Sequence, residues 1–232
     1  MLKNMGGWNR IMNIIKPSYE ILTPIDGVSE LKHIERIGRV CYKSEGAITE
    51  DGESAKKFVE MLIKRGHEAM IEHSSLSVKF TVDRGVSHEL VRHRIASFAQ
   101  ESTRYVNYSL EKFGNEINVI DIEGGIRLDR SMIANLEVEA IDCIIDEWTR
   151  AMEDVEEHYL NMIKLGATPQ IARSVLPNST KTEITITANY REWRNFFKLR
   201  VPETAHPQMR EVTIPLLEEL KEKLPIIFGD IS

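Results

Sequence analysis

Cysteine is nearly missing from this chain: Cys41 and Cys143 are the only two in 232 residues. Two thiols supply neither a disulfide framework nor the paired spacing of a zinc site. Long apolar runs are missing too. No segment reaches the roughly 18 continuous apolar residues of a membrane span. The N-terminal MLKNMGGWNRIMNIIKPSYE lacks the uninterrupted apolar stretch of a signal peptide. The expectation is a cytoplasmic protein with no membrane partner. Positive charge is in deficit. A net charge of −6 disfavours general attraction to nucleic acid, although a local basic site remains possible. Repeats, low-complexity tracts and Pro/Gly-rich linkers are also lacking. Residues 1–232 therefore read as a single domain, long enough to bury a core. Hydrophobic content of 42% and charged content of 28% fit a soluble globular chain.

The common chemical signatures are missing as well. There is no GxSxG elbow, no Walker A loop and no GxGxxG turn. A bound nucleotide must then be held by side chains. HEAMIEH places His67 and His73 six apart, and HELVRH places His88 and His93 five apart. At about 100° per helical residue these turn about 240° and 140°, so neither pair shares a face as HExxH does. No metal is expected. His33 and His158 read as solvated helix positions. Cys41 and Cys143 fall in apolar helical patterns and read as buried, inert thiols.

What is present is a mixture of strands and helices. IMNIIKPSYEILTPI is strand-forming and broken by Pro17. SELKHIERIGRVCY spaces Leu31, Ile34, Ile37, Val40 and Cys41 helically, and SAKKFVEMLIKRGH does the same before a stop at Gly66. SLSVKFTV alternates as a strand, with Leu76, Val78, Phe80 and Val82 on one face. SHELVRHRIA reads as a helix capped by Ser87. INVIDI is a short strand. A long helix is expected over 131–165, with Ile133, Leu136, Ile144, Trp148, Met152 and Tyr159 among its apolar positions, and Gly166 ending it. Pro169 opens a further helix. TEITITANY is a strand leading into the helix REWRNFFKLR, and HPQMREVTIPLLEELKEKL closes the chain with Pro215 inside it. The elements lack regular βαβ alternation. The fold class is α+β, with mixed helices and a small antiparallel-rich sheet.

Against the acidic background, RHRIASFAQESTRY (92–105) concentrates Arg92, Arg94 and Arg104. Arg173, Arg191 and Arg200 lie among apolar neighbours. An arginine in such a setting usually has an anionic partner, because an unpaired buried charge costs several kcal/mol. Its planar fork suits phosphate and carboxylate. Each could be an internal ion pair. As a set beside Gln100, Ser102, Thr103, Asn189 and Asn195, they suit phosphorylated ligands that also carry ring and sugar groups.

RHRIASFAQESTRY resembles the RHR-x7-S signature of flavin-dependent thymidylate synthases, with Ser102 at the required spacing. RGHEAMIEHSSLSVKF, ATPQIARSVLP, ITANYREWRNFFKLR and AHPQMREV are similar to further blocks of that family and follow in order. The resemblance covers most of the chain, from about residue 34 to 220. It implies a homotetramer with active sites shared between subunits. It also implies reductive methylation of dUMP to dTMP, with 5,10-methylenetetrahydrofolate as carbon donor and NADPH as reductant through FAD. Neither cysteine has the Pro-Cys-His context of the cysteine-dependent enzyme, which agrees with the flavin route.

Residue by residue, the resemblance implies FAD contacts from Arg92, His93, Arg94, Asn189, Tyr190, Arg191 and Asn195, and from Ala69 across a subunit boundary. His67 is similar to a histidine near flavin and folate. Gln100 is expected between flavin and nucleotide. Glu89, Leu90, Val91, Arg92, Gln100, Glu101, Ser102, Thr103, Arg104 and Arg173 are the expected dUMP ligands, with Arg104 and Arg173 on the phosphate. Arg200 resembles the catalytic arginine that favours loss of the uracil N3 proton. Three departures stand out. Gln100 replaces a frequent Glu. Ala69 replaces a hydroxyl residue, leaving only a backbone contact. Glu89 replaces a frequent Gln, and as an acid is expected to pair with Arg92 or Arg104. Two rival functions, a nucleotide-binding regulator and a nucleic-acid-binding module, fit less well. The first is disfavoured by the retained Arg200 and flavin-site residues, the second by the net charge.

Overall fold

The computed structural model describes residues 12–104, 108 and 116–232; the first eleven residues of the stretch read for a signal segment, and Tyr105 at the end of the basic run, lie outside them. In chain order come β1 (Asn13–Ile15), β2 (Ser18–Ile21), α1 (Gly27–Tyr42), α2 (Glu53–Lys64), β3 (Ser75–Asp83), α3 (Arg84–Leu90) and β4 (Ala96–Gln100). There follow β5 (Asn118–Ile120), α4 (Glu123–Leu128), α5 (Arg130–Asn135), α6 (Val138–Lys164), α7 (Pro169–Ala172), β6 (Lys181–Asn189), α8 (Tyr190–Arg200), α9 (Pro207–Lys223) and α10 (Pro225–Phe228).

The main sheet has the order β2-β3-β6-β4, with every neighbouring pair antiparallel. A separate parallel pair joins β1 to β5. The alternation read in β3 holds: Leu76, Val78, Phe80 and Val82 are all buried. Across the register they face Ala188, Ile186, Ile184 and Thr182 of β6. One sheet face therefore carries a buried layer that is apolar but for Thr182, and α8 and α9 cover it. Trp193, Phe196 and Phe197 stack edge-on and face-on against Phe80 and one another. The indole N–H of Trp193 donates to the Leu76 carbonyl, which satisfies its only polar atom inside the core. A smaller core beneath α6 holds Tyr108, Ile117, Val119, Met152, Tyr159 and Ala172. Helix α4 lies against α9 without space between them: a Cβ at Gly125 would sit 2.6 Å from the Gln208 side chain.

Three expectations change. Helix α3 starts earlier than Ser87. Asp83, at the end of β3, caps it, with Oδ1 accepting from the Val86 N–H at 2.7 Å. A carboxylate at a helix N-terminus gains from the dipole as well as the hydrogen bond, so Ser87 falls inside. The helix also ends at Leu90, which leaves residues 92–94 beyond it. The long helix over 131–165 is interrupted, because Leu136 and Glu137 are extended between α5 and α6. Ile133 and Leu136 are exposed rather than core. Finally, both cysteines are exposed. In α1 the buried stripe runs through Leu31, Ile34, Glu35 and Gly38 rather than toward Val40 and Cys41. Glu35 is held there by Arg39 and by the Ser54 hydroxyl, while Gly38 lets the Phe58 ring approach. The charged pair has turned the helix away from its simple apolar spacing.

Candidate functional site

Helix α8 organises the first half of the site. Its N-cap is Asn189, whose Oδ1 accepts from the Glu192 N–H at 2.8 Å. Its exposed face carries Arg191, Asn195 and Leu199, four residues apart. Its last residue is Arg200. Residues 68–73 form a 3-10 turn packed beside it, where Glu72 pairs with Arg191 and Glu68 with the buried Arg194. His67 and Ala69, at that turn, are both exposed. His67 Nδ1 lies 3.4 Å from the Tyr42 hydroxyl. Tyr190 points the other way. Its ring is buried against Phe228, so only its backbone can face a ligand.

Arg200 sits at a junction of three elements. Its Nη1 donates to Glu89 Oε2 at 2.7 Å, its Nη2 to the Glu89 carbonyl at 3.3 Å and its Nε to His93 Nε2 at 3.1 Å. The other ring nitrogen of His93 faces Glu192 Oε1 at 3.1 Å. Because the guanidinium is always a donor, His93 Nε2 must accept, and the proton belongs on Nδ1. Burial lowers the His93 pKa, and Arg200 lowers it further, against the opposing hydrogen bond that His93 donates to Glu192. The ring is thus a neutral connector with both nitrogens committed inside the chain. Arg92, Arg94, Val91 and Ile95 on either side of it are exposed. Glu89 pairs with Arg200, not with Arg92 or Arg104 as expected. The reason is positional: residues 92–94 lie past the end of α3, while the end of α8 reaches its side. Leu90 is fully buried, so its side chain belongs to the core.

The second half gathers where β4 runs out. Glu101 bonds with Glu183 of β6 through both its backbone and its carboxylate, and it accepts from Lys181 Nζ at 3.1 Å. Burial pulls the Lys181 pKa down, but bonds to Glu183 and Glu101 outweigh it and the net shift is upward. Arg173 Nη1 reaches Thr103 Oγ1 at 3.3 Å. This brings a residue from after α7 to the basic run. Ser102 Oγ accepts from the Arg104 N–H at 3.4 Å, forming a turn. Arg104 itself is exposed.

Helix α3 connects the halves. Ser87 and Glu89 are two residues apart, about 200° around the helix, so one reaches Gln100 and the other Arg200. Gln100 Nε2 donates to Ser87 Oγ at 2.9 Å and to Thr182 Oγ1 at 3.3 Å. The single Ser87 hydroxyl proton goes to the Arg84 carbonyl at 3.0 Å. Position 100 must therefore supply a donor, which an amide has and a carboxylate lacks. That is a physical reason for Gln here.

Glu192, Ser87, Thr182, Lys181 and His206, whose Nδ1 lies 3.1 Å from Glu89 Oε1, were not legible as site residues. The Asn189-x-x-Glu192 spacing marks a helix start, yet nothing in it points to His93. An open groove of about 440 Å³, lined by Arg39, Thr49, Asp51, Glu53, Ser54, Lys57, Phe58 and Met61, lies on α1 and α2, away from these residues. Among the described residues no group of three or more His, Cys, Asp or Glu comes together to hold a metal, and no helix is long and apolar enough to cross a membrane.

Comparison with known proteins gives a consistent set. A family model described as thymidylate synthase complementing protein matches residues 26–226. The chain is 33% identical over 211 residues to a flavin-dependent thymidylate synthase of Corynebacterium aurimucosum, covering 88% of this chain and 82% of that one. It is 32% identical over 224 residues to the protein of the same name from Mycobacteroides abscessus, covering 94% and 86%. Among solved structures it resembles a UMP/dUMP methylase, PolB, from Streptomyces cacaoi, bound with 5-Br UMP. The TM-score is 0.73 at 21% identity, with 94% of this chain and 95% of that chain covered. At that identity the likeness speaks for the α+β fold.

Proposed function

The chain belongs to the thymidylate synthase complementing protein family, the flavin-dependent thymidylate synthases, and from that premise we propose that it methylates dUMP reductively to dTMP. The carbon comes from 5,10-methylenetetrahydrofolate and the electrons from NADPH by way of FAD. The observation that carries this reading is Arg200, fixed by Glu89 and His93 beside the signature run while keeping further N–H groups for a ligand.

The donor set fits FAD. Arg92, Arg94, Arg191 and Asn195 offer exposed charge and amide groups for a pyrophosphate and a ring edge, and Val91, Ile95 and Leu199 offer exposed apolar contact. Bound FAD would supply the hydride-transfer chemistry, and the protein its binding and orientation. His67, Ala69, Asn189 and the Tyr190 backbone complete its proposed surroundings, with His93 holding the neighbourhood in place from within. Thr103, Arg104, Arg173 and Ser102 take the dUMP phosphate. Lys181 keeps Glu101 neutralised beside it. Ser102 has no base, so it serves as a hydrogen-bond donor rather than a nucleophile.

Arg200 is the catalytic residue. Its permanent charge stabilises the negative charge left on the uracil ring when the N3 proton departs, and a fixed donor aimed at developing charge is a large catalytic term. We propose a homotetramer with shared sites, as the family resemblance implies; exposed apolar side chains such as Val138 at 69% and Ile133 at 50% are available to such an interface. We place the enzyme in the cytoplasm as a single domain acting on free nucleotide, in keeping with its net charge of −6.

The test begins with the visible spectrum of the purified protein with added FAD, and with dTMP formation from all substrates. Lack of both flavin binding and turnover refutes the reading. Arg200→Ala is expected to keep its flavin and lose roughly 10²–10³ in kcat. Unchanged turnover removes Arg200 from the mechanism.

A further inference from the structure

We propose that Glu89 is a positioning residue that aims Arg200, and that it acts on the reaction through that arginine rather than as a ligand of the nucleotide. The inference rests on the role given to Arg200 above. A guanidinium has five N–H donors in one plane. Glu89 takes one through Oε2 at 2.7 Å and a second through its own carbonyl at 3.3 Å. His93 Nε2 takes a third at 3.1 Å. Three contacts on three different nitrogens fix both the position and the plane of the group. The two remaining donors, one on each Nη, are left for a ligand. The Thr213 hydroxyl also donates to the Arg200 carbonyl at 3.0 Å, so the backbone that carries the side chain is fixed as well.

Both acceptors are themselves anchored. His93 is 7% exposed, packs its ring against Phe196 and faces Glu192 through its other nitrogen. Glu89 stands on α3, whose N-terminus is capped by Asp83. The second Glu89 oxygen lies 3.1 Å from Nδ1 of His206, the residue that caps α9, a proximity without hydrogen-bond geometry. The carboxylate is thus flanked by the Arg200 guanidinium and the His206 ring. As an anion beside a dianionic phosphate it would repel; as the brace of a cation it attracts. The Glu89 and Arg200 side chains remain 31% and 18% exposed, so the brace is open to the surface from which a ligand arrives.

The experiment uses the full-length enzyme with FAD and four variants: Glu89→Ala, Glu89→Gln, Arg200→Ala and the double variant Arg200→Ala with Glu89→Ala. Glu89→Ala is expected to lower kcat ten- to a hundredfold while KM for dUMP changes less than threefold. Glu89→Gln is expected to recover activity to within about threefold of the parent, since its amide oxygen still accepts from Nη1. In the Arg200→Ala background, Glu89→Ala is expected to add no further loss, as two residues acting through one contact are not additive. A second readout needs no turnover. In ¹⁵N spectra of histidine-labelled protein, the His93 Nε2 signal is expected to move downfield in Glu89→Ala as the guanidinium leaves it, and to stay in place in Glu89→Gln. A raised KM with unchanged kcat makes Glu89 a nucleotide ligand and overturns the proposal. So does full additivity with Arg200→Ala, or an Nε2 signal that ignores Glu89→Ala. If the parent enzyme makes no dTMP, the functional reading fails by itself, and the Nε2 signal alone decides whether Glu89 positions Arg200.

Discussion

Glu211 offers the sharpest test of the electrostatics. It projects from α9 toward α4, where its carboxylate lies so close over Gly124 that a Cβ there would collide with it. Its Oε2 is buried without a hydrogen-bond partner. Burial, with the nearby charges of Asp121 and Asp83, pushes its pKa from an ordinary 4.5 up to about 7, against a weaker opposing pull from Lys16. The folded protein therefore holds this proton more tightly than the unfolded chain does. Its stabilising effect is fully present below about pH 4.5 and is lost as pH rises through about 7. A tenfold change in proton affinity corresponds to about 1.4 kcal/mol. The full shift would be about 3 kcal/mol, and solvent screening of a partly buried carboxylate reduces that to about 1–2 kcal/mol. Glu211→Gln has the same shape and stays neutral. It is expected to match the parent near pH 4.5 and to exceed it at pH 8 by about 1–2 kcal/mol, or roughly 2–8 °C in Tm for a chain of this size. Thermal unfolding of both proteins across pH 4.5–8 measures this. Parallel curves, or a variant less stable at pH 8, would show that the carboxylate is ionised at little cost and refute the reasoning.

Two further substitutions probe the frame of the site. Arg194→Ala removes a guanidinium that is only 2% exposed and joins Glu68, Asp230 and the Ile227 carbonyl. It is expected to cost about 3–5 kcal/mol, seen as a large drop in Tm, and a loss under about 1 kcal/mol would contradict the bridging role. Gln100→Glu sets a carboxylate where Ser87 has already given its proton to Arg84. A loss of about 1–2 kcal/mol in urea unfolding is expected, and a variant as stable as the parent would show that the hydroxyls can reorient freely.

Periodicity made the sheet legible. The alternation of Leu76, Val78, Phe80 and Val82 predicted a buried face, and packing agrees because no charged group competes along it and Thr182 is the one polar partner across the register. It failed in α1, where Glu35 is fully buried and its bonds to Arg39 and Ser54 decide which face turns inward. A buried ion pair has no periodic signature. The same limit applies to the site. The arginines of the basic run are visible as a local cluster. The bonds joining Arg200 to Glu89 and His93 span more than a hundred positions, and only the fold creates them. The cap at Asp83 was missed because Ser87 is an equally good capping type, and the choice depends on where β3 ends.

The order of the main sheet also bears on how the chain reaches its native state. Strand β6 lies between β3 and β4, yet is made long after both. On the ribosome, Ser75 must wait for Asn189 and Gln100 for Ile184 before either edge finds its partner. Pairings this distant in sequence are slow to close. Helix α8 emerges directly behind β6, carrying Asn195 and Arg200. Completion of the sheet and assembly of the ligand-facing residues are therefore one late event. A nascent chain released before β6 has emerged would carry the basic run without the groups that discipline it, a state for chaperones to manage rather than a partial enzyme.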